Sequence, residues 1–361
     1  MGTITRTGIA KLPLHSGRCP AWLFSQMRKL AACLAEVIVY QFGAEEFLKR
    51  LSDPIFFQAF GCALGFDWHS SGLTTTVCGA LKEGLREIGP ELGIFVAGGK
   101  GRISRRTPEE ISRFSEYWAR GVDADNLIYA SRMSAKVDNT ALQDGYNLYH
   151  HTFIFTKKGN WCVIQQGMNI QAHWARRYHW LGAKVTDFVN EPHSAVCCDH
   201  KSVALNMVAH ESEAARGAVS DLSRREPKFL IKELKKIKTL SLPRNESFLA
   251  QEINPDRLTK IFLQIYQSQP VDFKGLLGLP GVGPKTIRAL ALLSELVAGA
   301  APSFRDPVRY SFAHGGKDGY PYPVDRPTYS RTIEFLNEAI SSAKMGYGEK
   351  LRAFNRLKSL L

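Results

Sequence analysis

Residues 276–288, with the sequence LLGLPGVGPKTIR, hold two glycines, a proline and a lysine in an order typical of a phosphate-binding turn. Gly281 and Gly283 can adopt positive φ and leave no Cβ in the path of an approaching backbone, and Pro284 suits the first turn of a helix. Bare backbone N–H groups at the positive end of a helix dipole bind phosphate. We therefore expect this turn to hold a nucleic-acid backbone without reading its bases. The expected contacts are Gly281, Val282, Gly283, Pro284, Thr286 and Arg288.

A lysine and a carboxylate are candidates for chemistry beside that turn. Lys285 begins the helix after the turn, and Asp325 stands in the segment PVDR, ahead of a helix-like run that reaches Ile340. A free amine can attack a sugar carbon and form a Schiff base if burial or nearby cations lower its pKa. A carboxylate can stabilise the positive charge that develops on the sugar. The other role open to Lys285 is a simple phosphate contact.

The turn and the PVD segment together resemble the helix-hairpin-helix DNA glycosylases related to endonuclease III and oxoguanine glycosylase. The resemblance implies that Asp325 caps a helix facing the damaged nucleotide and that Lys285 occupies the lysine position of lytic members. It also implies an enzyme that flips a damaged base out of DNA. The separation of forty residues (325 − 285 = 40) exceeds what the resemblance leads us to expect. An insertion containing Lys317 therefore loops out near the site, and we expect Lys317 and Arg326 to contact DNA.

Nearly the whole chain is also similar to an uncharacterised prokaryotic family, a domain of unknown function. The similarity rests on GFDWHSSG at 65–72, VIQQGMN at 163–169, RRYHW at 176–180 and HGGKDGYPYPVDR at 314–326. This second resemblance is specific, but it implies little about activity. The function has to be argued from the residues.

Length, charge and cysteine content restrict the class of protein. A chain of 361 residues is long for one compact core, so two domains are expected. The 47 basic and 34 acidic side chains give a net charge of +13, which favours a polyanionic partner such as DNA. No apolar stretch approaches the ~20 residues that span a bilayer, and the seven cysteines lack a disulfide-framework spacing. We expect a cytoplasmic, nucleoid-associated protein with reduced thiols and no membrane contact; its oligomeric state is open.

Two segments of the first hundred residues place polar groups beside glycines. The segment at 65–72 is either a functional loop or a turn in which Ser70 or Ser71 starts the next helix. The strand-like run LGIFVAGGKGR at 92–102 ends in three glycines and two cations, which could meet phosphate. Because the run lacks the spacing of a nucleotide-hydrolysing P-loop, we do not expect nucleotide hydrolysis.

The middle of the chain predicts a small antiparallel sheet. Residues 152–156 and 161–165 read as two strands joined by the turn KKGN. The next segment, WARRYHW at 174–180, interleaves cations with aromatic rings, a combination that suits stacked, unpaired bases. We expect Arg176 and Arg177 to contact DNA there. The alternative is a half-buried aromatic cluster with arginine heads at its rim.

A metal-dependent nuclease is a competing interpretation of this middle region. Asp138 and Asp144 could hold Mg²⁺ against a scissile phosphate, but the nearby strand carries a Gln-Gln pair where an acid and a lysine are wanted. Cys197 and Cys198 have no C-x-x-C partner, which argues against a structural zinc. We therefore predict neither a metal nor a cofactor.

The region ahead of the turn is strongly basic. Residues 224–244 contain eight cations and two acids, a composition typical of a solvated helix face and compatible with tracking a DNA backbone. We place a domain boundary near residue 220. The predicted fold is α+β, with a mixed domain at 1–220 that carries the small sheet and an all-helical domain at 221–361 that carries the hairpin.

Three functions are consistent with these features. The first is a DNA repair enzyme of glycosylase/AP-lyase type, acting on duplex DNA that contains a lesion or a single-stranded region. The second is a non-catalytic DNA-binding module that docks duplex through the hairpin. The third is a nuclease that uses the hairpin as its anchor.

Overall fold

The structure is a computed structural model that describes residues 12, 14, 19–66, 70–119, 122–198, 200–250, 253–308, 326–344 and 346–358. Its helices are α1 (Ala21–Phe42), α2 (Ala44–Leu51), α3 (Pro54–Ala63), α4 (Gly72–Leu92), α5 (Thr107–Arg113), α6 (Ala124–Lys136), α7 (Glu213–Ser223), α8 (Pro227–Ile237), α9 (Arg244–Ala250), α10 (Pro255–Ser268), α11 (Phe273–Gly278), α12 (Pro284–Leu296), α13 (Arg326–Ser342) and α14 (Tyr347–Lys358). Its strands are β1 (Ile94–Lys100), β2 (Leu142–Gln143), β3 (Asn147–Thr156), β4 (Trp161–Asn169), β5 (Trp174–Leu181), β6 (Ala195–Cys197) and β7 (Leu205–Asn206). The predicted α+β class is confirmed.

The main sheet is antiparallel, with strand order β1-β3-β4-β5-β6. The predicted strand pair is confirmed within β3 and β4, where Phe153 lies opposite Val163. Successive side chains of a strand point to opposite faces, and helices cover both faces of this sheet. The structure is therefore a layer of strands between two layers of helices.

Each face of the sheet belongs to a different hydrophobic cluster. The helical-cap cluster joins α1–α4 to one face, where Ile154 and Ile164 lie. The hairpin cluster joins α6–α8 and α10–α12 to the other face, where Phe153 and Val163 lie. All four of these sheet residues are fully buried, so the sheet serves as the common core of both helical layers.

The predicted boundary near residue 220 lies inside α7. The hairpin cluster runs from Phe95 to Val308 and thus includes residues on both sides of that position. Helix α7 itself contacts α12 and α11, which carry the predicted hairpin. The hairpin is therefore tied to the sheet through a continuous apolar interior.

The last two helices pack at the other side of the sheet. Phe335 and Leu336 of α13 are buried in the helical-cap cluster, and the guanidinium of Arg50 lies 3.8 Å from the ring centroid of Phe335. Helix α14 contacts α3 and α13. None of the helices in the described ranges has the combined length and apolarity that crossing a bilayer requires.

Candidate nucleic-acid interface

The glycine turn connects two helices, as the sequence predicts. Helix α11 ends at Gly278, and α12 begins at Pro284 with Gly283 as its N-cap. Gly281 has a φ of +80°, in the left-handed region that glycine favours. The N–H of Val282 donates to Leu279 O at 3.3 Å, which closes the turn. These residues form a helix-hairpin-helix.

Side chains from three other elements hold the carbonyl groups of the hairpin. Lys136 Nζ at the end of α6 donates to Val282 O at 2.6 Å and to Leu279 O at 3.4 Å. Gln143 Nε2 donates to Pro284 O at 2.9 Å, and Gln264 Nε2 of α10 donates to Pro280 O at 3.0 Å. Burial lowers the pKa of Lys136. Four carbonyl oxygens of the hairpin, those of Leu279, Pro280, Val282 and Pro284, therefore already accept hydrogen bonds from side chains of the protein.

The amide groups of the turn remain available. Within the described part of the chain, the N–H groups of Gly281 and Gly283 donate to no acceptor. Gly281 is exposed and Gly283 is half-buried. Unpaired amides ahead of a helix of thirteen residues, with the helix dipole behind them, favour a bound anion. This end of α12 is suited to a phosphate group.

A lysine-lined groove lies between α8 and α10. Its volume is about 550 Å³. It is lined by Pro227, Lys228, Ile231, Lys232, Lys235, Lys236 and Thr259. Lys235 pairs with Asp256, and Lys236 with Glu233, whereas Lys228 and Lys232 have no acidic partner within the ranges that the structure covers. The groove therefore carries at least two uncompensated positive charges.

Helix α10 places the groove next to the hairpin. Thr259 lines the groove, and Gln264 of the same helix binds Pro280 of the turn. Five residues of α-helix separate them, a rise of about 7.5 Å along the helix axis. We call the hairpin and this groove together the docking surface.

The remaining residues predicted for the hairpin have different positions. Val282 and Thr286 are buried, so their side chains stabilise the turn and only their backbone is near the surface. Pro284 is exposed. Arg288 is half-buried, and its Nε donates to Gln143 Oε1 at 3.0 Å. Arg288 therefore supports the same side chain that holds Pro284 O.

Lys285 is exposed on the first turn of α12, beside the unpaired amides. Asp325 and Lys317 lie outside the described residues, and Arg326 is described only as the first residue of α13. Helix α13 packs in the helical-cap cluster, whereas Lys285 extends from a helix of the hairpin cluster. The predicted meeting of Lys285 with Asp325 stays a prediction.

Arg176 does not face DNA, contrary to our expectation for strand β5. Its guanidinium is fully buried, donates to Asp144 Oδ2 and Asp306 Oδ2 at 2.8 Å each, and stacks over Tyr146. Burial raises the pKa of Asp144 although Arg176 opposes the shift. The strand lies between β4 and β6 with both faces covered, so Arg176 holds the chain together instead of contacting a ligand.

Arg177 is equally buried, on the opposite face of the same strand. It donates to Gln58 Oε1 at 2.9 Å and to Thr74 Oγ1 at 3.3 Å, and it lies over the ring of Phe57. Burial lowers its pKa to about 10. The prediction of a DNA contact was wrong for Arg176 and Arg177, because covering the sheet on both sides places adjacent cations inside two different cores.

The two carboxylates of the nuclease interpretation are also interior. Asp138 accepts hydrogen bonds from Gln165, Trp180 and His193. Asp144 binds Arg176 and Tyr178. In the described ranges, no group of three or more histidine, cysteine, aspartate or glutamate side chains has the arrangement of a metal site.

Lys136 and Gln143 hold the hairpin, a role that the sequence pattern did not identify. Lys136 lies 146 positions before its acceptor Val282, and Gln143 lies 141 positions before Pro284. No local pattern reports a contact over such a separation. A lysine at the end of a helix is ordinarily a solvated side chain.

The fold is that of an α+β protein in which two helices joined by a glycine turn are tied to an antiparallel sheet. A family model described as "Protein of unknown function (DUF763)" matches residues 8–324, and the chain belongs to that family. The expected membership in a domain of unknown function is thereby confirmed. The match includes both the sheet and the hairpin, so the two regions are parts of one family architecture. No curated protein and no solved structure matched the chain in the other two comparisons.

Proposed function

We propose that this protein binds the sugar-phosphate backbone of duplex DNA through the docking surface. The observation that carries the proposal is the helix-hairpin-helix, whose carbonyls are held inward by Lys136, Gln143 and Gln264 while the amides of Gly281 and Gly283 are left unpaired. Phosphate accepts hydrogen bonds and donates few, so this polarity favours a phosphate over a cation or a neutral peptide.

The lysine groove adds the electrostatic part of the proposed binding. Lys228 and Lys232 are exposed and line the groove, and helix α10 connects that groove to the turn through Gln264. Neutralising phosphates with lysine releases condensed counterions, which makes affinity fall steeply with salt. Backbone contacts carry no base information, so affinity should be the same for duplexes of different sequence.

Fluorescence anisotropy with labelled duplexes tests the proposal. The protein should bind two unrelated sequences of equal length with equal affinity and a steep salt dependence. Replacing both groove lysines (Lys228→Gln with Lys232→Gln) should reduce the slope of log K against log salt by about two. Lys184→Gln, an exposed lysine distant from the groove, is the matched control and should leave the slope unchanged. An unchanged slope in the double variant would overturn the docking surface.

We further propose that Lys285 makes this DNA-binding protein an AP lyase of the glycosylase type. Support comes from its position on the first turn of α12, next to the amides that would hold the neighbouring phosphate. In the proposed reaction the Lys285 amine attacks the C1′ of the sugar, a Schiff base forms with loss of water or of the base, and elimination breaks the 3′ phosphodiester bond. Asp325 is the proposed carboxylate that stabilises the developing positive charge.

Borohydride trapping on abasic duplex DNA tests this activity. Borohydride reduces the Schiff base to a stable amine, so the wild-type protein should become covalently attached to the DNA. Lys285→Ala should lose the adduct but keep most duplex affinity. Lys260→Ala, another exposed lysine of the helical region, is the control and should be trapped as the parent is. Equal trapping of Lys285→Ala would remove Lys285 as the nucleophile and leave only the binding function.

A further inference from the structure

A second cavity lies on the side of the sheet that faces the helical-cap cluster. It is bordered by α1, α4 and the end of β1 and has a volume of about 960 Å³. Volumes up to this size are typical of small-molecule sites. Three segments that the sequence analysis singled out meet here, since Phe66, Gly99 and Met168 all line the cavity. The docking surface uses none of these residues.

The glycine end of β1 forms one wall of the cavity and is held rigidly. The N–H of Gly98 donates to Glu110 Oε2 at 2.6 Å, and Lys82 Nζ donates to Gly98 O at 2.7 Å and to the same carboxylate. Gly98 has a φ of +92°, and a Cβ there would lie 2.2 Å from His151 O. Only glycine fits this position, which keeps the adjacent wall free of side-chain atoms.

His150 supplies a polar group with no partner. Its side chain lines the cavity and is 1% exposed. Its Nε2 lies 2.8 Å from Thr152 Oγ1, whereas its Nδ1 has no hydrogen-bond partner among the residues described. Burial lowers the pKa of His150 to about 3, so the ring is neutral at physiological pH. The Nδ1 atom is shielded from solvent, so the neutral ring contributes wall surface to the cavity and no accessible donor or acceptor.

The cavity is lined by both charged and aromatic side chains, and Lys100 Nζ lies 5.9 Å from the ring centroid of Tyr149. Lys82 is neutralised by Glu110, and Glu83 by Arg86. Arg28 and Lys100 are also lining residues, and neither pairs with a carboxylate in the described ranges. The walls include the rings of Phe24, Phe66 and Tyr149. The cavity therefore offers two cations, flat aromatic surfaces and the hydroxyl groups of its lining residues.

We propose that this cavity binds a nucleoside monophosphate unit. The phosphate would be held by Lys100 and Arg28, and the base would pack against Phe24 or Phe66. The unit comes either from a free nucleotide or from the terminal nucleotide of a single strand. The site is separate from the docking surface, because the cavity borders the helical-cap cluster and the hairpin belongs to the other cluster.

Isothermal titration calorimetry of the full chain tests the proposal. The probes are dAMP, deoxyadenosine, inorganic phosphate and a short single strand with a 5′ phosphate. We expect dAMP to bind about tenfold or more tightly than deoxyadenosine and than phosphate, because both halves of the ligand contribute. Tighter binding of the strand than of dAMP would assign the unit to a strand end, and the reverse to a free nucleotide. Absence of dAMP binding, or phosphate binding as tight as dAMP, would overturn the proposal.

A cavity-filling substitution provides the structural control. Gly79 lines the cavity within α4, and a Cβ there would meet only the ring of Phe24 at 3.5 Å, an ordinary contact. Gly79→Leu should therefore fold, fill the cavity and weaken dAMP binding at least about tenfold. Gly217→Leu, the same change at an exposed helical glycine with no atom nearby, should not. Retained dAMP affinity in Gly79→Leu would contradict the assigned cavity.

A matched pair of charge substitutions tests the proposed phosphate contact. Lys100→Glu should weaken dAMP binding while leaving the weaker deoxyadenosine binding unchanged, and Lys184→Glu should alter neither. Duplex DNA affinity of Gly79→Leu should equal that of the parent, because the docking surface is intact. Nucleotide binding and duplex binding can therefore be lost independently. If Lys100→Glu weakened dAMP and deoxyadenosine binding equally, Lys100 would not contact the phosphate.

Discussion

Strand β5 and the docking surface both contain cations next to apolar or aromatic side chains, but they place those cations in opposite environments. Arg176 and Arg177 are fully buried and donate to internal acceptors. Lys228 and Lys232 are exposed, and no acidic partner accompanies them in the described ranges. A buried cation needs fixed partners that offset its lost hydration. A cation that binds a phosphate needs solvent access and an unpaired charge.

The comparison assigns stability to one region and binding to the other. Removing a charge from β5 should damage folding without a specific effect on DNA affinity. Removing a charge from the groove should have the reverse effect, because exposed substitutions usually change stability by less than about 0.5 kcal/mol.

Arg176→Ala is expected to have the largest effect on stability. It would leave the buried carboxylate of Asp144 without its guanidinium, and breaking one side of a buried ion pair costs about 3–5 kcal/mol. Urea denaturation measures this loss. Adding Asp144→Asn removes the orphaned charge and should recover part of the stability. A stable Arg176→Ala with reduced DNA affinity would reverse the assignment of β5.

Acid should destabilise the sheet through its buried histidines. Burial lowers the pKa of His151 to about 4 from an ordinary value of 6.5. Between these pH values the unfolded chain binds a proton at this residue and the folded chain does not. The stability contributed by this histidine is complete above pH 6.5 and is lost as the pH falls toward 4, by about 1.4 kcal/mol per pH unit. Urea denaturation at several pH values gives the free energy of unfolding against pH. His151→Gln should reduce the slope of that plot by this amount between pH 6.5 and 4. An unchanged slope would show that His151 does not titrate as its burial implies.

Gly281→Ala tests the hairpin with a smaller cost to stability. Alanine at a φ of +80° is strained by about 1–2 kcal/mol, and its Cβ would lie 3.1 Å from Ile261 Cδ1. Gly299→Ala is the matched control, because Gly299 also has positive φ, at +68°, but has open space around it and lies after α12. Both variants should lose similar stability, and only Gly281→Ala should lose duplex affinity in anisotropy. Equal affinity losses would attribute the effect to general destabilisation.

The sequence predicted the elements that have a local cause. The turn KKGN joins β3 to β4, with Gly159 at positive φ and Lys158 N–H donating to Thr156 Oγ1, and Gly281 and Gly283 form the turn between α11 and α12. These positions depend on the conformational range of one residue or on a contact two residues away. Local chemistry is readable from a single sequence for that reason.

Features that depend on distant contacts were not predictable. The segment WARRYHW has the same composition whether it lies on a surface or in a sheet, and only the covering of both faces by α1–α4 and α6 decides between them. The role of Lys136 likewise depends on an acceptor 146 positions away. Burial of a cation is a property of the tertiary structure and leaves no local pattern.

Hydrogen exchange with and without duplex DNA tests the central claim most directly. The amides of Gly281 and Gly283 have no acceptor in the described protein, so they should exchange rapidly in the free state. We predict that duplex DNA slows exchange in residues 279–288 and along α8, and leaves β5 unchanged. Unaltered exchange at the hairpin, with protection elsewhere or nowhere, would contradict the claim that the hairpin and its lysine groove hold the DNA backbone.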